Sequence, residues 1–278
     1  MINIAVRGHD VSNVTTIPQL ANKLQEYGVH GVQLSLPIQF PEISDGKKMN
    51  PGLGAYCRRV FSSADVQIAV LSCYFNMIHP DSVYRRQLIR RFKNYLRFAG
   101  CFGADFVASE TGSVRPIPNV YDPKNFAEES YTAVRAVIEE LVSYGEEVGC
   151  RVAIEPGINH PICSLSKTLR ILHEISSPWL GVIFDPTSLV CAHNVEELPR
   201  IIEKGFDSLC DDIFAIHVRD FTVVPGQEQV QTCDNGLGVL PTTHILDLVK
   251  TNKPMASVVF EETKGDAIRS IVDRYSEY

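Results

Sequence analysis

Short runs of Val, Ile, Leu and Phe recur along the chain and alternate with stretches whose apolar positions repeat at helical spacing. Apolar runs of four or five residues are the pattern of strands buried on both faces. They fall at 2–7, 31–36, 67–74 and 105–109, and then in four segments ending at Glu155, Asp185, His217 and Glu261. Helices are predicted at 17–27, 53–64, 83–102 and 126–148, and again at 165–175, 195–205, 243–250 and 267–275. Eight strands alternating with eight helices predict an α/β fold, a closed parallel (β/α)8 barrel. An open doubly wound sheet is the alternative, and it would carry a Gly-rich nucleotide turn after its first strand. Here that turn reads Arg7-Gly8-His9-Asp10-Val11-Ser12, without a G-x-G-x-x-G.

The turn residues agree with this division. Gly28, Gly103 and Gly149 stand where a helix must stop and the chain reverse, which favours a positive φ. Pro18, Pro51 and Pro123 suit early helical positions, where a missing N–H costs little. No Ser/Gly-rich linker or low-complexity tract interrupts the 278 residues, a length that suits one barrel, so residues 1–278 are expected to form a single domain. The longest loops are expected after the second, fourth and seventh strands, at 37–50, 111–124 and 220–241, where they would shape specificity.

Four of the strand segments end on a side chain able to ligate a metal: Arg-Val-Ala-Ile-Glu155, Leu-Gly-Val-Ile-Phe-Asp185, Ile-Phe-Ala-Ile-His217 and Ser-Val-Val-Phe-Glu261. A charged group ending such a run must emerge at the carboxyl edge of the sheet, and in a parallel barrel those edges share one rim. Taken singly, a carboxylate there is more often a helix cap, and a lone His a satisfied structural residue. Four at the same phase predict a divalent metal site, because three carboxylates converging on an imidazole would otherwise repel one another. The donor set is mostly oxygen and suits Mn²⁺ first, with Mg²⁺, Co²⁺ or Zn²⁺ also accommodated.

The same stretches resemble the xylose isomerase-like TIM barrel superfamily of sugar isomerases and epimerases. The likeness rests on Ile154-Glu155-Pro156, Gly181-Val182-Ile183-Phe184-Asp185-Pro186, His217-Val218-Arg219-Asp220, Gly236-Leu237-Gly238 and the strand ending in Glu261. It extends to His79-Pro80-Asp81 with its Arg-rich helix, and to Phe102-Gly103-Ala104-Asp105. The resemblance implies that Glu155, Asp185, His217 and Glu261 are the metal ligands and that Glu155 and Glu261 exchange protons with substrate. Ser188 and Val223 depart from ketose 3-epimerases, which tend to carry a substrate-binding His and Arg there. Ser188 and Glu110 depart from endonuclease IV, which needs further histidines for three metals.

Two carboxylates across a barrel mouth can serve both faces of a planar intermediate, as epimerisation requires. The expected activity is therefore metal-dependent isomerisation or epimerisation of a small sugar or sugar phosphate, by proton abstraction next to a carbonyl. A dehydratase of a cyclic polyol ketone would begin with the same step. A non-catalytic sugar-binding barrel that keeps the metal is the reading from another class. His9, Asn76, Glu110 and Arg219 lie at rim positions and are expected to contact substrate. His160 is expected on the surface, and Asp220 is expected to accept the second ring N–H of His217 and fix its tautomer. Lys264-Gly265, opening the last helix, is a place where a phosphate could sit.

The net charge of −7 argues against nucleic acid as a partner. The Arg85–Arg91 stretch interleaves its charges with apolar residues, as a solvated outer helix does. The eight cysteines contain no Cys-x-x-Cys pair, and no apolar stretch approaches the roughly 20 residues of a membrane span. With no signal peptide, a soluble cytoplasmic enzyme with reduced thiols is expected; homo-oligomers are common among barrels of this type.

Overall fold

The computed structural model describes residues 2–44 and 48–278. Residues 45–47, part of the expected 37–50 loop, lie outside the described residues. The first seven strands are β1 (Asn3–Arg7), β2 (Gly31–Leu34), β3 (Gln67–Ser72), β4 (Phe106–Glu110), β5 (Arg151–Glu155), β6 (Leu180–Phe184) and β7 (Ile213–Val218). A small antiparallel hairpin, β8 (Phe221–Thr222) and β9 (Gln231–Thr232), then interrupts the alternation. The last strand, β10 (Ser257–Phe260), pairs in parallel with both β7 and β1 and closes an eight-stranded barrel. This is the (β/α)8 architecture predicted, and the open sheet is excluded.

Around it run α1 (Ile17–Tyr27), α2 (Leu36–Gln39), α3 (Pro51–Ser63), α4 (Ser82–Phe102), α5 (Glu128–Val148), α6 (Leu165–Ile175), α7 (Leu198–Leu209), α8 (Thr242–Asn252) and α9 (Asp266–Tyr275). Their ends follow local chemistry. Thr16 and Gln19 cap α1 reciprocally, and Asp81 caps α4 by accepting from the Val83 and Tyr84 amides. Gly28, Gly103 and Gly149 end α1, α4 and α5 at φ of 75°, 75° and 74°, as expected of left-handed caps. The Arg-rich stretch lies on α4, with Arg86 and Lys93 paired to Glu140 across to α5.

Two local expectations shift. The second strand stops at Leu34, because Leu36-Pro37 begin the helical turn α2. The helix expected at 195–205 instead starts at Leu198 and continues to Leu209. Gly205 does not end it. It sits inside the helix because a Cβ there would meet the Phe184 ring at 2.1 Å. No described helix is long and apolar enough to cross a membrane.

The barrel interior explains where the chemistry lies. Ala5, Val70, Ala108, Ala153, Ile183, Ala215 and Val259 form one buried cluster inside the strands. At the amino end the Phe106 and Phe214 rings, 5.5 Å apart, plug the barrel. Side chains alternate along a strand, so the next interior position lies two residues further on. Counting on from the cluster, and from Gly31 opposite Ala5, gives Arg7, Gln33, Ser72, Glu110, Glu155, Asp185, His217 and Glu261. All eight are polar, each in a barrel strand or at the position just after one.

Replacing Gly205 by Ala tests the α7 packing. Ala improves helix propensity by up to about 1 kcal/mol. The added methyl, however, drives into Phe184, itself 2% exposed and packed edge-on to Phe206. Overpacking typically costs about 1 to 3 kcal/mol. Gly205→Ala is predicted to lower unfolding stability in urea, and a stabilised variant would show that Phe184 has room to move.

Candidate metal centre

Glu155, Asp185 and His217 bring one ligand atom each to within 4.8 Å of one another, and all three are buried. Glu261 stands beside this set. Its Oε1 lies 3.1 Å from His217 Nδ1, with Glu155 Oε1 at 3.3 Å from the same nitrogen. Neither contact has hydrogen-bond geometry, and both ring nitrogens of the fully buried His217 lack a hydrogen-bond partner. A buried imidazole with no hydrogen bond, facing carboxylates, is the arrangement a divalent cation would complete. The donor set therefore fits a metal held by Glu155, Asp185 and His217, with Glu261 next to it.

The carboxylates are held by neighbours. Tyr74 donates its hydroxyl to Glu155 Oε2 at 2.7 Å and accepts from Gln33 Nε2 at 2.9 Å. Asp185 accepts from the Thr187 amide and the Ser188 hydroxyl, each at 2.8 Å, and its Oδ2 lies 2.9 Å from Arg219 Nη2. Arg7 binds Asp10 through two nitrogens, at 2.7 and 2.9 Å, and approaches Glu261 Oε2 at 3.4 Å. It also pairs with Glu262, a non-glycine residue at φ 56°, whose amide donates to Asp10.

These contacts set the charges apart. Burial would raise the Glu155 carboxyl, but His217 and the Tyr74 hydroxyl outweigh it and hold the group at about 2. Burial opposes charge on His217, yet Glu261 and Glu155 raise it to about 9. For Glu261, burial wins over the pull of His217 and Arg7, and its carboxyl stays above the usual range.

A cleft of about 270 Å³ opens over the ends of β4 to β7, lined by Glu110, Glu155, His160, Ser188, Arg219 and the β9 residue Thr232, among others. Glu110 and Arg219 thus reach the cleft. Glu110 accepts from Asn119 Nδ2 at 3.1 and 3.3 Å rather than from Arg115, which pairs with Asp122. His160 is not on the surface: it is buried, and its Nε2 contacts Asn119 Oδ1. A larger groove, about 700 Å³, lies between α6 and α7 and contains none of the barrel-mouth ligands.

Two expected residues do other work. Asn76 is expected to orient substrate, but its amide is spent on backbone. Its Oδ1 accepts from the Ile78 and Ser113 amides, and its Nδ2 donates to the Arg115 carbonyl. This joins the loops after β3 and β4. Asp220 is expected to orient His217, but both its oxygens are taken by the amides of Phe221, Gly236, Gly238 and Leu240, each at 2.9 Å. It pins the loop after β7. His9 stands in the turn after β1 near Arg7, Asp10, Glu262 and Lys264, and burial with Arg7 lowers its pKa. It is not among the residues lining the cleft.

Sequence reasoning passed over Arg7, Gln33, Asp10, Asn119 and Tyr74's hydroxyl. Arg7 and Gln33 could have been found by extending the interior alternation to the first two strands. Asn119 lies in an irregular loop that carries no such signal.

The family model for the xylose isomerase-like TIM barrel matches residues 21–274, and the chain belongs to that family. No curated protein matches its sequence significantly. Among solved structures it is similar to the probable 3-DHS dehydratase AsbF from Bacillus anthracis, with a TM-score of 0.75, 12% identity and 99% of each chain covered. It is also similar to the 3-keto-D-glucoside 4-epimerase YcjR from E. coli, with a TM-score of 0.74, 15% identity and 100% of each chain covered. A third similar structure is the IOLI protein with a bound zinc atom, with a TM-score of 0.73, 17% identity, and 100% of this chain and 99% of that chain covered. At these identities the likeness is one of fold.

Tyr74→Phe tests how the centre is held. Groups that hydrogen-bond metal ligands typically contribute about 10- to 100-fold in metal affinity. The variant is predicted to bind Mn²⁺ about tenfold more weakly in a calorimetric titration, with a lower melting temperature before metal is added because Glu155 and Gln33 each lose a buried partner. Equal affinity would mean that Glu155 does not ligate through the position Tyr74 holds.

Proposed function

We propose that the protein is a divalent-metal-dependent isomerase or epimerase of a small sugar or keto-polyol. The observation that carries this reading is the buried convergence of Glu155, Asp185 and His217, with Glu261 beside them, at the inner end of a polar cleft. The similar epimerase structure and the zinc in the IOLI protein support it. Mn²⁺ suits the oxygen-rich donors best, and Zn²⁺, Co²⁺ and Mg²⁺ also fit the set. A bound ion would supply Lewis-acid stabilisation of the negative charge that develops when a proton leaves carbon next to a carbonyl.

The two glutamates are not equivalent. Glu155 uses Oε2 for Tyr74 and is held at about 2, which makes it a firm ligand and a weak base. Burial keeps the proton affinity of Glu261 high, as a general base needs. Glu261 therefore takes the proton from substrate carbon, and Arg7 fixes the orientation of its carboxylate. In an epimerisation Glu155, across the barrel mouth, would serve the opposite face only once it had taken up a proton from solvent. Arg219, bonded to Ser188 at 2.6 Å, offers its otherwise unpartnered Nε to a substrate oxygen. The same proton removal followed by loss of a β-hydroxyl is a dehydration, a second reading that the likeness to a probable dehydratase supports.

Two outcomes are predicted. Glu261→Gln keeps a coordinating oxygen but cannot accept a proton, so turnover at saturating metal is expected to fall about 10² to 10⁴-fold. Deuterium exchange into recovered substrate checks this directly. Normal exchange would remove Glu261 as the base.

The second concerns pH. Metal and proton compete for the His217 nitrogen, which holds its proton up to about pH 9 in the metal-free protein. Mn²⁺ affinity should therefore rise about tenfold per pH unit from neutrality and level off above about 9. Affinity that stayed flat from pH 6 to 9, measured by calorimetry in weakly chelating buffers, would exclude His217 as a ligand.

A further inference from the structure

We infer that the substrate sugar carries an uncharged apolar substituent, an alkyl chain or aryl group, which leaves the barrel mouth over Ile158 and lies in the groove between α6 and α7. The inference rests on the function proposed above and narrows its substrate class.

The groove opens on the same rim as the cleft. Barrel helices begin at the carboxyl ends of the strands, so Cys163 and Ser164, ahead of α6, and Asn194 and Glu197, ahead of α7, stand at its upper end. From there it follows α7 from Glu197 to Ser208, about 16 Å of helix. A thin partition divides it from the cleft. On one side Ser188 and Val190 line the cleft, while Leu189 between them lines the groove. On the other side Ile158 lines both. The Ile158 amide donates to the Ser188 carbonyl at 2.7 Å and holds the two sides of this partition together. Ile158 is only half-buried, so it forms an apolar sill between the polar cleft and the groove.

The chemistry of the groove selects the substituent. At about 700 Å³ it falls within the range of about 300 to 1,000 Å³ usual for small-molecule sites, whereas the cleft, at about 270 Å³, lies just below it. Its walls carry Leu165, Leu169, Leu189 and Ile201, with Ile158 at the sill. The polar groups at the upper end are already committed. Ser164 accepts from the Lys167 amide, and Asn194 accepts from the Cys191 amide and donates to the Leu189 carbonyl. Along α7 the charges of Glu197 and Asp207 balance those of Arg200 and Lys204. What remains to recognise a ligand is apolar area, which gains by leaving water and needs no directional partner. Leu169 is still 37% exposed, so part of that area awaits cover. A group bound so far from the reacting carbons can use its binding energy to orient them.

Paired probes test this on the full chain loaded with Mn²⁺, below micelle-forming concentrations. Octyl 3-keto-β-D-glucoside is set against its methyl counterpart, 6-O-octyl-D-fructose against D-fructose, and an O-octyl keto-inositol against the keto-inositol. Each is followed by calorimetric binding and by deuterium exchange from solvent. The octyl member of at least one pair should bind at least about tenfold more tightly than its partner. Leu169→Glu places a charge on the groove wall from an exposed position and should shrink that ratio to about threefold or less. Ser166→Trp, which fills the groove from another exposed position, should do the same and decides alone if Leu169→Glu fails to fold. Octyl members that bound no better than their partners in the wild-type protein would overturn the inference and leave the isomerase reading standing. An octyl advantage that survived both substitutions would place the chain elsewhere and overturn it equally. If no member of any pair bound or exchanged, the proposed function would fall and the inference with it.

Discussion

Removing carboxylates from water is costly unless each finds a partner, and this barrel brings several into a space a few ångströms across. The mouth is organised around that cost. Tyr74 answers Glu155, the Thr187 amide with Ser188 and Arg219 answers Asp185, and Arg7 answers Glu261. Only His217 is left with two buried nitrogens and no hydrogen bond. That imbalance lies at the point where a cation would enter. The partners also separate the acids in strength, so that neighbouring glutamates of the same kind differ in their hold on a proton.

The scaffold below makes this arrangement possible. Small residues, Ala5, Ala108, Ala153 and Ala215, fill the middle of the barrel, and the Phe106 and Phe214 rings seal the far end. Small side chains at mid-barrel let the polar ones above converge without a deep apolar plug between them. The outer helices add packing to this. Gly205 lets α7 press onto Phe184 directly behind β6, the strand that delivers Asp185.

The fold was legible in the sequence because buried parallel strands are nearly pure apolar runs, and the polar residue ending each run marks the rim. That signal marks Glu155, Asp185, His217 and Glu261 as rim positions. It was weaker for the first strands, where Arg7 and Gln33 look like ordinary loop-flanking residues unless counted in twos from Ala5 and Gly31. The roles of Asn76 and Asp220 were not legible. A polar side chain just past a strand reads the same whether it faces a ligand or a distant backbone amide, and only tertiary structure brings Gly236 and Gly238 to Asp220. Asn119 and His160 were hidden for a related reason. They meet across 41 residues, from two irregular loops, with no periodicity to connect them.

The grip of Asp220 has a consequence for how such a barrel changes over time. A Cβ at Gly238 would come within 2.3 Å of Asp220 Oδ1, so the carboxylate and the glycine are fitted to each other. Together with the Leu240 amide they form a clip at the base of the loop, while β8, β9 and the tip between them hang beyond it. Asn76 makes a similar clip for the loop after β4, seated against Gly112 at φ 85°. Each of these two loops is thereby fastened by one side chain that leaves Glu155, Asp185, His217 and Glu261 untouched. The tips can be lengthened, shortened or exchanged like interchangeable heads on a fixed handle. A new specificity can then be acquired by insertion between the clips, without renegotiating the chemistry at the centre.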